Sequence, residues 1–295
     1  MRIGLSSSDI KRTSADNLFA TIAKYGFTST QFGFAYVTES NFEPTGKIEL
    51  PDKIDDALIS LIIESSKKYG VGIFACYGTF NMAHPDRNVR DEGIKRFDVL
   101  AGATQKLGCK YILVCSGTRH EDYLWRYHPD NSTREAWGDM IDTVKKCAKI
   151  AEKYNVVIAV ETEASNIIDT PEKARKMMDE VGSANLKMTM DCANLFHAGE
   201  AKKENVQKIV RRAFDVFGDD VVIAHGKDIM ESDGIIFCPT GEGVIDFTQF
   251  IGLLNAHNYK GDMILHGIFD GEKMARGYET IANAIKNWET GSKKT

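Results

Sequence analysis

Four side chains able to bind a metal or move a proton each close a short apolar run. Glu161 ends V-V-I-A-V-E, Asp191 ends L-K-M-T-M-D, His225 ends V-V-I-A-H and His266 ends D-M-I-L-H. Two carboxylates and two imidazoles suit one borderline divalent ion (Mn, Zn, Co or Fe) better than Mg or Ca, which prefer oxygen ligands. A lone Asp at the end of such a run is more often a helix cap or a turn residue than a ligand. The coincidence of four carries the metal reading. Glu163 follows Glu161 by two residues, so the two share a strand face and either can serve as a base. Lys227 has the same parity as His225 and would point inward to steady an anionic oxygen. Its other reading is a surface ion pair with Asp228.

The elements that would position these groups alternate along the chain. Predicted strands are 2–6, 29–33, 72–77, 111–115 and 156–161, followed by runs that end at 191, about 225 and about 266. Predicted helices span 14–25, 51–69, 89–107, 132–154, 171 to just before Gly182, 204–217, 247–257 and 272–288, and residues 289–295 read as a disordered tail. Buried parallel strands account for the β-branched runs, and Gly26, Gly70, Gly108 and Gly182 stop helices. Eight such units imply an α/β fold, a closed (β/α)8 TIM barrel, as one domain over 1–295. Catalytic groups of such barrels sit at the C-terminal ends of the strands, where all four candidates lie. The rival open sheet lacks its Gly-rich dinucleotide turn, because the first strand runs into L-S-S-S-D-I.

Composition narrows the class. The chain has 295 residues, 43% of them hydrophobic, enough for a sizeable core. A net charge of −5 argues against a nucleic-acid partner held by a basic surface. No apolar run approaches the ~20 residues of a membrane span. M-R-I-G-L-S runs directly into a strand, which reads as no secretion signal and a cytoplasmic protein. Cys76, Cys109, Cys115, Cys147, Cys192 and Cys238 form no Cys-x-x-Cys pair and read as scattered reduced residues.

Four short motifs, in this order, resemble the xylose-isomerase-like barrels, a family of sugar and sugar-phosphate isomerases and epimerases that also includes endonuclease IV. They are A-V-E at 159–161, M-D-C-A-N-L at 190–195, A-H-G-K-D at 224–228 and G-E-G-V-I-D at 241–246. The resemblance implies one divalent ion held by Glu161, Asp191, His225 and a final acidic ligand. His266 stands where that last Glu is usual, and Asn194 stands where several relatives carry a histidine. The family's epimerases use two glutamates on opposite faces of the substrate, and only the first is present here. The expected activity is a metal-dependent sugar or sugar-phosphate isomerase or epimerase working through an enediolate. A keto-sugar or keto-inositol dehydratase or lyase is the alternative. Readings of lower rank are an endonuclease IV-like phosphodiesterase and a sugar-binding barrel without turnover. His266 is read as the fourth ligand ahead of an acid replacing the second Glu.

Candidate substrate contacts are Asn81 and His84 after the third strand, Arg119 and Trp125 after the fourth, and Asn194 and His197 after the sixth. His120 and His128 belong to the same group. Polar groups beside an aromatic ring suit a sugar, and Arg119 suits a carboxylate or phosphate. Taken alone, each reads slightly better as loop packing or capping. G-E-G reads as a structural turn. The partner expected is a small sugar or keto-sugar, with no nucleic acid and no membrane, and the resemblance allows a homo-oligomer.

Overall fold

A computed structural model describes residues 1–292. Eight parallel strands close into a barrel in the ring order β1, β10, β7, β6, β5, β4, β3, β2. They are β1 (Ile3–Ser6), β2 (Ser29–Phe32), β3 (Gly72–Tyr77), β4 (Tyr111–Cys115), β5 (Val157–Glu161), β6 (Leu186–Asp191), β7 (Val221–His225) and β10 (Met263–Leu265). Between β7 and β10 the short strands β8 (Asp228–Ile229) and β9 (Phe237–Cys238) pair antiparallel on the rim, a feature the periodicity does not reveal.

Around the barrel run α1 (Ala15–Lys24), α2 (Asp56–Tyr69), α3 (Arg87–Lys106), α4 (Arg134–Tyr154), α5 (Pro171–Val181), α6 (Lys203–Phe217), α7 (Phe247–Ala256) and α8 (Gly271–Ser292). Side-chain caps decide several starts. Ser14 caps α1 and Thr170 caps α5. The helix expected from Pro51 instead begins at Asp56, because Asp55 accepts the Leu58 N–H and ends the loop there. Residues 129–132 form a 3-10 turn, so α4 starts after Thr133, whose hydroxyl accepts from Ala136 N–H. The tail expected at 289–295 is helical over 289–292, and residues 293–295 lie outside the described residues.

Two packed layers result. Large buried rings such as Phe19, Phe32, Phe97 and Phe214 fill the space between helices and sheet. Inside the barrel, Ala75, Leu113, Ala159 and Ile223 form a separate small plug. Ala159 and Ile223 share strand faces with Glu161 and His225, so the plug is the floor on which those groups stand. Register brings the functional ends to one rim, with β6 reaching two residues beyond β5: Cys115 pairs Glu161, Glu161 pairs Thr189, and Asp191 pairs His225. All six cysteines are buried and free. Among the described residues, no helix is long and apolar enough to cross a membrane.

The barrel closes at the pairing of β1 with β10, and Asp262 ties that seam at its lower end. It accepts from Arg2 Nε at 3.0 Å and Nη2 at 2.7 Å, and from the buried Ser29 hydroxyl at 2.6 Å. Asp262→Ala strands the Ser29 hydroxyl and should cost about 1–3 kcal/mol of stability, measured by urea unfolding.

Candidate active site

Glu161, Asp191 and His225 end three consecutive strands and converge. One ligand atom from each lies within 4.8 Å of the other two, and all three residues are buried. His225 Nδ1 is 2.9 Å from Glu161 Oε1 and 3.3 Å from Asp191 Oδ2. The Asp191 contact has hydrogen-bond geometry, whereas Glu161 Oε1 is buried without a hydrogen bond. The other Glu161 oxygen accepts a weak bond from the Cys115 thiol at 3.8 Å. An oxygen-oxygen-nitrogen set with an unsatisfied buried carboxylate oxygen fits a borderline divalent ion.

Electrostatics show how strongly this cluster seeks positive charge. Burial pulls the His225 imidazole down, but the Glu161 and Asp191 carboxylates outweigh it and push it up to about 9. Burial pulls Asp191 up, yet Lys227 and His225 hold it well below the usual carboxylate range. Lys227 is also buried, and Asp191, Glu161 and Glu163 keep it above its ordinary value against that burial. Its Nζ donates to Asn194 Oδ1 at 2.6 Å, stands 3.4 Å from Asp191 Oδ2 and lies 3.8 Å from the centre of the Phe237 ring. The inward reading of Lys227 therefore holds. Asp228 points elsewhere, accepting backbone N–H bonds from Ile229, Gly241, Gly243 and Ile245 at 2.8–3.1 Å. The G-E-G stretch is a structural turn folded around that carboxylate.

His266 departs from the ligand expectation. It lies outside the three-residue cluster. Strand β10 ends one residue earlier, and Asp9 accepts the next backbone N–H, that of Gly267, at 3.0 Å. This tether draws the His266 ring toward the β1 side, with Nδ1 3.5 Å from Ser8 Oγ and 3.8 Å from Asp9 Oδ1. Its ring centre is 5.6 Å from that of His225. Burial, Lys227 and His225 all hold this imidazole well below its ordinary value, so it is neutral.

A cavity of about 440 Å3 opens over the cluster. Glu163, Asn194, Trp125, Lys227 and His266 line it as expected from the sequence. Burial raises the Glu163 carboxyl above its ordinary value. Tyr36, Tyr77, Glu49, Phe237 and Phe269 line it too, and the sequence carried no signal for them. They come from segments far apart in the chain, Tyr77 ending β3 and Phe237 lying in β9. Two further residues had a faint signal: Gln31, an amide in the buried run S-T-Q-F, and Asp9, an acid just past β1.

Six expected substrate contacts turn out to be loop scaffolding. Arg119 and Arg90 clasp Asp139 at 2.7 and 2.8 Å, so the Arg119 charge is spent on the protein. Asn81 accepts from Thr118 N–H at 2.9 Å and donates to the His120 carbonyl at 3.2 Å. Gly117, at φ +79°, permits that approach, since a Cβ there would sit 2.3 Å from Asn81 Oδ1. His84 Nε2 donates to the Glu121 carbonyl at 2.8 Å, and His197 Nε2 donates to the Asp169 carbonyl at 3.0 Å. His120 and His128 accept nearby backbone N–H groups at 3.2 Å as turn caps.

A family profile described as xylose isomerase-like TIM barrel matches residues 19–288. The chain belongs to this family. Inosose dehydratase of Geobacillus kaustophilus is 20% identical over 265 residues, covering 85% of this chain and 79% of that protein. Inosose dehydratase of Glaesserella parasuis is 23% identical over 282 residues, covering 89% and 87%. The solved structure of a D-tagatose 3-epimerase-like protein superposes with a TM-score of 0.77 at 18% identity, covering 99% of this chain and 100% of the other. That of IOLI protein with a binding zinc atom superposes with a TM-score of 0.68 at 17% identity, covering 98% of each chain. At such identities the structural likeness establishes the fold.

Metal binding at His225 must displace a proton. Below the imidazole's pKa of about 9, affinity for Zn2+ should therefore rise with pH by about tenfold per unit and level off above it. Asp191→Ala or His225→Ala should abolish binding. Calorimetric titration at several pH values checks both, and an affinity independent of pH below 9 would contradict the assignment.

Proposed function

We propose that this protein is a divalent-metal-dependent lyase that removes water from an uncharged keto-inositol or keto-sugar. The observation that carries this reading is the placement of two further proton-transfer groups, Glu163 and His266, in one cavity with Glu161, His225 and Lys227, behind which Asp191 is buried against His225. Glu161, Asp191 and His225 would hold the ion. When bound, the ion supplies Lewis acidity that polarises a ketone and makes the neighbouring C–H acidic. The zinc atom in the structure of IOLI protein and the name borne by the inosose dehydratases support this reading.

The chain's own residues supply the rest. In the elimination, the electron pair of the acidic C–H forms the new C=C bond. The C–O bond on the next carbon then breaks, and the leaving hydroxyl takes a proton to depart as water. One side chain must accept a proton and another must give one. His266, which lines the cavity with Nδ1 3.8 Å from Asp9 Oδ1, is assigned as the acceptor. Glu163, raised by burial, is set as the donor. Lys227 is positioned to steady negative charge on the ketone oxygen. The cavity also disfavours a phosphorylated substrate, because Arg119 is bound to Asp139 while Glu49, Glu161 and Glu163 make the lining acidic. Tyr36, Tyr77 and Trp125 offer faces for the C–H side of a polyol ring.

An isomerase or epimerase would share the first proton abstraction and differ in returning the proton to carbon. The single-sided carboxylate pattern, with His266 after β10, is the specific observation that ranks it second. Metal-loaded protein incubated with a 2-keto-inositol in D2O should yield a dehydrated product with a new conjugated ultraviolet absorption. His266→Ala and Glu163→Gln should each lower kcat by about 10²- to 10⁴-fold with metal binding retained. Lys227→Met should lower it by about 10²- to 10³-fold. Deuterium incorporation without water loss would favour the epimerase reading, and neither event would remove the enolisation mechanism.

A further inference from the structure

We infer that Gln31, reaching across the barrel from β2, positions His225 for the metal. This rests on the metal centre described above. Strands β2 and β7 are separated in the ring by β1 and β10. The Gln31 side chain is fully buried, and its Oε1 lies 2.9 Å from His225 Nε2. An imidazole binds a metal through a nitrogen that carries no proton, and in the neutral ring the other nitrogen then holds it. A carbonyl oxygen can only accept, so Gln31 keeps the proton on Nε2. Nδ1 is left as the free donor atom, facing Glu161 Oε1 and Asp191 Oδ2. The same bond sets the rotation of the ring. The reverse amide orientation would aim an N–H at Nε2, drive the proton to Nδ1 and close the metal-binding edge. Gln31 is held in place by this one polar contact, since its own Nε2 is buried without a hydrogen-bond partner among the described residues. A buried amide with an unused donor is costly as packing. Its carbonyl oxygen, turned to the imidazole, gives the amide a task that an apolar side chain of the same size would not perform.

The test is calorimetric titration of the full chain with Zn2+ and Mn2+, comparing wild type, Gln31→Met and Gln31→Glu. The Met variant keeps the length and loses the acceptor, and should bind about 10- to 100-fold more weakly. The Glu variant keeps an acceptor and should stay within about threefold of wild type. Nitrogen-15 spectra of Zn2+-loaded wild type, labelled at histidine, should show the His225 proton on Nε2 and none on Nδ1. A Met variant that binds like wild type, two variants equally weakened, or a His225 ring without a proton on Nε2 would each overturn the role of Gln31 while leaving the metal centre standing. Wild-type protein that binds neither ion would overturn the centre itself and this inference with it.

Discussion

The mouth of this barrel depends on a balance of buried charge. Glu161 and Asp191 lie on adjacent strands in a region shielded from water, where an uncompensated carboxylate is costly. Lys227 and His225 provide the compensation within 3.4 Å. The arrangement would suit a divalent ion for the same reason: an ion would take the place of a proton on His225, and Glu161 Oε1 is a carboxylate oxygen left without a hydrogen bond. Removing a single member of such a cluster disturbs the rest, because each charge is stabilised by its neighbours more than by solvent.

Around that balance the rim is built from backbone held by polar side chains. Asp228 gathers four N–H groups and shapes the turn after β9. Asp139 clasps Arg90 and Arg119, and Asn81 links the loops after β3 and β4. Residues that read as chemistry in the chain can therefore serve as fasteners, and the two roles have the same composition. Charge supply tells them apart. Arg119 has its counter-charge on the protein, whereas Lys227 shares Asp191 with His225 and still lines the cavity.

The β10 side gives the site its individual character. Asp9 holds the Gly267 backbone, and the His266 ring follows that turn away from Glu161, Asp191 and His225. Glu161, Asp191 and His225 form one buried cluster, and His266 and Glu163 line the cavity beside it. The lining mixes the aromatic rings of Tyr36, Tyr77, Trp125 and Phe237 with the acidic Glu49, Glu161 and Glu163.

Much of this was legible in the order of residues. The alternation of β-branched runs with amphipathic segments, punctuated by glycines, specifies eight strand-helix units, because local periodicity decides which face is buried. It also specifies that Glu161, Asp191 and His225 end their strands on one rim, since parallel strands of similar length place their ends together. Helix starts were read less well where a side-chain cap such as Asp55 or Thr133 outweighed the nearby proline or serine. Tertiary structure alone decided the rest. Whether His266 joins the Glu161, Asp191 and His225 cluster depends on a turn at Gly267 tied to Asp9, 258 positions away in sequence. Whether Arg119 is free depends on Asp139, and whether Gln31 matters depends on a strand across the barrel. Such contacts are set by packing and closure between distant segments, which local patterns do not encode.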